Sequence, residues 1–161
     1  MDTLKIPPSS EQAEISVLGS ILIDNDGIVE VSDFLKPEHF HNENYEQIYR
    51  SMIDLYEKRE PIDIVTVSER LKELKLLKRV GGKTFLARLA NEVPTSANVE
   101  SYGRIIKSLS AKRELISAAA RISERAFDDG LQSEELLDYA EQEIYSLSQK
   151  HLKSVPSSLR E

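Results

Sequence analysis

The chain has 161 residues, 40% hydrophobic and 30% charged, with six glycines, six prolines, no tryptophan and no cysteine. That length supports a domain with its own core, and that composition belongs to a globular chain rich in helix formers and poor in aromatics, whose core should be aliphatic. The missing cysteines exclude disulfides and thiolate metal centres, the net charge of −7 argues against a general DNA ligand, and no apolar run is long enough to span a bilayer.

The start, Met-Asp-Thr-Leu-Lys, lacks the charged-then-apolar order of a secretory leader, which makes the cytoplasm the expected compartment. Pro7-Pro8 is an extended entry. Ser9 with Gln12 can form a capping box, and Ala13, Val17, Leu18, Ile21 and Leu22 then share one helical face. Asp24-Asn25-Asp26-Gly27 reads as a turn, not as a calcium loop: with Gly27 at loop position six, position one is Leu22, where an acid is required. A short helix carrying Ile28, Val31, Phe34 and Leu35 is broken at Lys36-Pro37. Asn42 caps a strong helix with Tyr45, Ile48, Tyr49, Met52, Ile53 and Tyr56 inward.

Pro61 marks the next break. Thr66 with Glu69 predicts another capping box, opening a helix with Val67, Leu71 and Leu74 buried. Gly81-Gly82 ends a helix, and Thr84 can cap a short one to about Asn91, stopped by Pro94. From Asn98 to Asp128 there is no proline and one glycine, Gly103, which predicts a helix of roughly 45 Å. After the Asp128-Asp129-Gly130 turn, Ser133 can cap a last helix to about Lys150. Its Leu137, Ala140, Ile144 and Leu147 have the three-four-three spacing of a helix–helix seam.

The long helix carries two apolar stripes. Ala111, Leu115, Ala118, Ala119, Ile122 and Ala126 form the one expected to receive the last helix. Tyr102, Ile105 and Leu109 of the other can pack on the N-terminal head. Its remaining members, Ile116, Ala120 and Phe127, have no partner in a two-helix arm, so they are expected to meet another chain. Tyr139 and Tyr145, read as lying off the seam of the last helix, suit the same interface, although half-exposed tyrosines are also common.

Residues 79–85, Arg-Val-Gly-Gly-Lys-Thr-Phe, end like a nucleotide-binding phosphate loop. The glycine required five positions before Gly82 is Leu77, and a helical pattern stands where a strand should. His39 and His41 lack further zinc ligands at a useful spacing and read as a loop-facing pair. No catalytic, cofactor or metal site is expected. Residues 66–92 hold seven Lys+Arg against three Asp+Glu, a local +4. Helix, glycine turn and short helix, with Lys75, Lys78, Arg79, Lys83 and Arg88, allow an alternative reading as a nucleic-acid-binding module.

The segments PPSSEQAEISVLGSILID, LKPEHF, YEQIY, PIDIVTVSERL, VGGKTFLARL and NVESYGRII, in this order, resemble the N-terminal domain of the bacterial replicative DNA helicase of the DnaB type. The resemblance covers Pro7 to Asp128 and extends more weakly to Lys150. It implies an all-α fold: a globular helical head, residues 1–97, and a long antiparallel helical hairpin, residues 98–150, that serves as a dimerisation arm. Residues 151–161 would begin a linker to a RecA-like ATPase domain, which would hold the ATP and Mg and is absent here. It also implies a non-catalytic role. Hairpins would pair between subunits, three such dimers would form the collar of a hexamer, and the collar would dock the primase C-terminal domain. DNA would be met only through the parent helicase.

Overall fold

A computed structural model describes residues 5–93 and 98–152. All regular structure among them is helical, in two compact units: residues 9–110, and residues 5–8 with 111–152. Pro94 and the expected linker beyond Leu152 lie outside the described residues.

The first unit opens with α1, Glu11–Ile23. Its cap is Ser10, whose Oγ accepts from the Ala13 N–H at 3.2 Å, one residue later than the expected Ser9. Ala13, Val17, Leu18 and Ile21 face the core, as their spacing predicts. Asp24 turns the chain by accepting the Asp26 N–H, and α2, Asp26–Val31, follows.

A 3-10 turn, Pro37–His39, leads to α3, Glu43–Glu57, capped by Asn42 as expected: its Oδ1 accepts from Asn44 and Tyr45. Glu14 of α1 is 2% exposed, and its two carboxylate oxygens accept the His41 and Asn42 N–H groups, each at 3.1 Å. A buried carboxylate is tolerated because it satisfies orphan donors at the entrance of a helix. His39 is not loop-facing. It is buried, and its Nδ1 accepts the Lys36 N–H.

The core is aliphatic around four buried rings, Phe34, Phe40, Tyr45 and Tyr49. Tyr49 donates to the Leu35 carbonyl at 2.8 Å, and burial pushes its hydroxyl pKa up. Leu55 fills the inward position expected of Tyr56, which is exposed.

Helix α4, Ile64–Glu73, starts earlier than expected. Asp63, not Thr66, is the cap, and Thr66 takes the answering role: the Asp63 carboxylate accepts the Thr66 N–H while Thr66 Oγ1 accepts the Asp63 N–H. Val67 and Leu71 are buried, but Leu74 is 38% exposed because the helix has ended. A one-turn helix α5, Leu77–Val80, stops at Gly81, whose φ of 115° is readily open only to glycine. Helix α6, Gly82–Glu92, begins at once, two residues before the expected Thr84.

Helix α7, Val99–Ala126, runs through both units. In the first it buries Val99, Gly103, Ile106 and Ser110. The expected contact face, Tyr102, Ile105 and Leu109, is turned by about one residue: Ile105 is exposed and Ile106 takes its place. Gly103 explains the turn, because a Cβ there would stand 3.0 Å from Val31 and 3.1 Å from the Phe34 ring. The second unit pairs the rest of α7 with α8, Ser133–Leu152.

Candidate functional site

Within the second unit, Arg121 pairs with Glu143 at 2.7 Å, Glu114 with Lys150 and His151, and the Arg125 guanidinium lies 3.9 Å above the Tyr139 ring. Partners advance along α7 as they retreat along α8, so the two helices are antiparallel. The charged contacts all lie along one edge of the seam. Ala118 is fully buried at its centre, with Ile122, Ala140 and Leu147 partly covered.

That arrangement corrects the expected seam. Leu115, Leu137 and Ile144 were assigned to it, yet they are 51%, 65% and 43% exposed. Tyr139 was expected off the seam, yet it is half-covered beneath Arg125. These aliphatic residues stand on the flank opposite the edge where Arg121 closes on Glu143 and Glu114 on Lys150, so part of each apolar stripe lies off the contact line.

Leu115 and Ala119 on α7, and Leu137 and Ile144 on α8, each sit about a quarter turn or less from the seam in the same rotational sense. Antiparallel helices present such flanks to the same side. They therefore make one aliphatic face spanning the pair, with the charges on the other edge. Ile116 and Ala120 lie on the side of α7 turned away from α8, Phe127 follows the last residue of that helix, and all three are exposed, Phe127 at 84%. Tyr145 is exposed on the outward side of α8. Sequence reasoning missed Leu115, Leu137 and Ile144 as surface residues. Periodicity within one helix does not contain this, because the paired residues along the seam lie 22 to 37 residues apart.

Glu114 carries the clearest pH dependence. Burial raises its pKa, but hydrogen bonds from Lys150 and His151 outweigh this and hold it below the usual carboxylate range. A depressed folded pKa gives stability that is complete above the unfolded value, about 4.3, and is lost as pH falls through the folded one. In thermal melts the wild type should therefore exceed Glu114→Gln above pH 5, with the gap narrowing steadily towards pH 3. A gap independent of pH would show that the ion pair contributes nothing.

The basic segment keeps its charges outward in the first unit: Lys75, Lys78, Arg79, Lys83 and Arg88 are exposed. Arg79 reaches Glu43 at 3.4 Å and Arg88 reaches Glu92 at 3.6 Å. Helix α6 turns Leu86 and Leu89 into the core, and Phe85 stacks on Tyr45, so no aromatic or amide row is left to read base edges. Gly82-Lys83-Thr84 is the first turn of α6 and follows a helix, so the geometry does not fit a nucleotide phosphate loop. Among the described residues no group of side chains could hold a metal, and no helix is long and apolar enough to cross a membrane.

Comparison with known proteins agrees with this architecture. The DnaB-like helicase N terminal domain family matches residues 6–108. The replicative DNA helicase DnaB of Geobacillus stearothermophilus is 37% identical over 146 residues, 91% of this chain and 32% of that protein. The replicative DNA helicase DnaC of Bacillus subtilis strain 168 is 34% identical over 157 residues, 98% of this chain and 35% of that protein. The chain thus spans about a third of the length of these two relatives.

Among solved structures, the crystal structure of the N-terminal domain of DnaB helicase from Mycobacterium tuberculosis superposes with a TM-score of 0.83 at 35% identity. It covers 88% of this chain and 99% of that one. A structure of a DnaB-like replicative helicase and its interactions with primase matches with a TM-score of 0.74 at 29% identity, over 88% of this chain and 31% of that one. The 161 residues correspond to the N-terminal domain of these helicases, and an ATPase domain is not among them. With its all-helical fold and its matched residues, the chain belongs to the DnaB-like helicase N terminal domain family.

Proposed function

We propose that this domain assembles and equips a replicative helicase without catalysing a reaction itself. The observation that carries the reading is the open aliphatic face of the α7–α8 pair. Large exposed apolar side chains, aligned on one side of two helices, are a poor surface for a lone chain and a good one for a partner. A second copy offers a partner of the same shape, and a two-fold axis across Leu115, Ala119, Leu137 and Ile144 would build a four-helix contact.

Ile116, Ala120 and Tyr145 point away from the seam and are assigned, with the exposed Phe127, to contact with a further chain: another copy in a trimer of dimers, or primase. The helicase–primase structure that this fold matches supports primase as that partner. Tyr139 serves the same surface indirectly by holding Arg125 at the seam. ATP, Mg and DNA would act through the ATPase domain of a longer protein, in the cytoplasm.

Light scattering on the purified chain tests the first contact: a mass near twice 18.3 kDa is expected at high concentration. Titration with the cognate primase C-terminal domain tests the second. Saturable binding that Ile116→Asp weakens is expected, and no heat or mass change with primase would remove that part of the reading.

A further inference from the structure

The α4–α5–α6 corner concentrates positive charge in an acidic protein. From residue 74 to residue 90 there are five cations, Lys75, Lys78, Arg79, Lys83 and Arg88, and no carboxylate. All five are exposed. Among the described residues Lys75, Lys78 and Lys83 form no ion pair, while Glu73 is engaged by Arg70, Glu43 by Arg79 and Glu92 by Arg88. The last two pairs are long and solvent-exposed, so they hold their arginines weakly and can be exchanged for another anion.

We propose that this corner binds the phosphodiester backbone of a nucleic acid without reading its sequence. Two observations favour phosphates over an acidic protein. Lysine is depleted from protein–protein interfaces but serves phosphate well as a point charge. The corner also offers little of the apolar anchor that a protein contact needs: Val80, Leu86 and Leu89 are buried, Leu76 and Leu77 are partly covered, and only Leu74, at 38%, is exposed among the large aliphatic side chains of this segment. Sequence-independence rests on the point-charge character of Lys75, Lys78 and Lys83, on the pairing of Arg88 with Glu92, and on the lack of a free ring for stacking on α6. The proposal does not rest on the α7–α8 surface and shares no residue with it.

The test uses the whole chain, fluorescence anisotropy and three probes: a labelled 20-mer of thymidine, a 20-base-pair duplex and polyaspartate. Binding of an oligonucleotide is expected at about 20 mM salt, weakening more than roughly a hundredfold by about 150 mM as counterions compete. Binding of the single strand alone or of the duplex as well identifies the nucleic acid preferred, and either supports the proposal. Lys75→Gln with Lys78→Gln and Lys83→Gln should weaken binding at least tenfold and flatten the salt slope by about 2. Lys58→Gln with Lys112→Gln, exposed lysines elsewhere, should leave it unchanged. No oligonucleotide binding at low salt, equal loss in the control variant, or binding of polyaspartate alone would each overturn the proposal.

Discussion

Leu137→Asp combined with Ile144→Asp is expected to convert the protein to a monomer across the concentration range in which the wild type associates. Leu137 is 65% and Ile144 43% exposed in the single chain, both off the contact line, so their replacement should spare the α7–α8 pairing and leave the helical circular dichroism unchanged. In a two-fold dimer each substitution occurs twice. Full burial of a large aliphatic side chain is worth about 1.5–3 kcal/mol, and about half of each is already covered in the single chain, so removing four of them costs roughly 3–6 kcal/mol, before the penalty of burying carboxylates. That corresponds to a weakening of at least about a hundredfold. Sedimentation equilibrium reads the effect directly. An association constant unchanged in this variant would mean that the aliphatic face is not where copies meet.

Gly19→Ala is expected to destabilise the first unit more than its chemistry suggests. Gly19 lies inside α1, where alanine would ordinarily add about 1 kcal/mol of helix propensity. A Cβ there would stand only 2.4 Å from the Leu89 carbonyl oxygen and 2.4 Å from a Val93 methyl carbon. Helix α1 packs directly on α6 at this point, and a backbone carbonyl cannot step aside as a flexible side chain can. Steric cost wins over propensity, for a net loss of about 2–3 kcal/mol and a fall in Tm of roughly 4–12 °C. Gly27→Ala is the control. It also lies in a helix, but its Cβ would meet neighbours at an ordinary 3.7 Å, so its stability should be unchanged or slightly raised. Urea unfolding of both variants separates the two cases, and equal effects would disprove the close α1–α6 crossing.

Where a helix has one dominant apolar stripe and an unambiguous cap, its sequence told most of the story. Asn42 caps α3 as expected, and Val17, Leu18, Ile21, Ile48, Tyr49 and Met52 all point inward. The errors share a physical origin. Near α1, Ser9 and Ser10 are adjacent candidates for one cap, and local pattern cannot choose between them. At α4, aspartate and threonine exchanged bonds in the way that threonine and glutamate were expected to. On α7, a stripe fixes a contact face only to within one residue, and Gly103 moved it from Ile105 to Ile106. The hairpin seam follows contacts between residues distant in sequence, which no single-helix periodicity contains. The buried Glu14 was hidden for the same reason, since its partners lie 27 and 28 residues away.

The central claim is that the aliphatic flank of the α7–α8 pair is covered by a second copy of this chain. The absence of cysteine makes a direct test available, because any introduced cysteine is unique. Leu115→Cys and Ile144→Cys sit on that flank, and Val29→Cys, exposed on α2, sits in the other unit. Under mild oxidation at concentrations where the wild type associates, the account predicts rapid disulfide-linked dimers from at least one flank variant and only slow, diffusion-limited linkage from Val29→Cys. Equal rates at all three positions would contradict it.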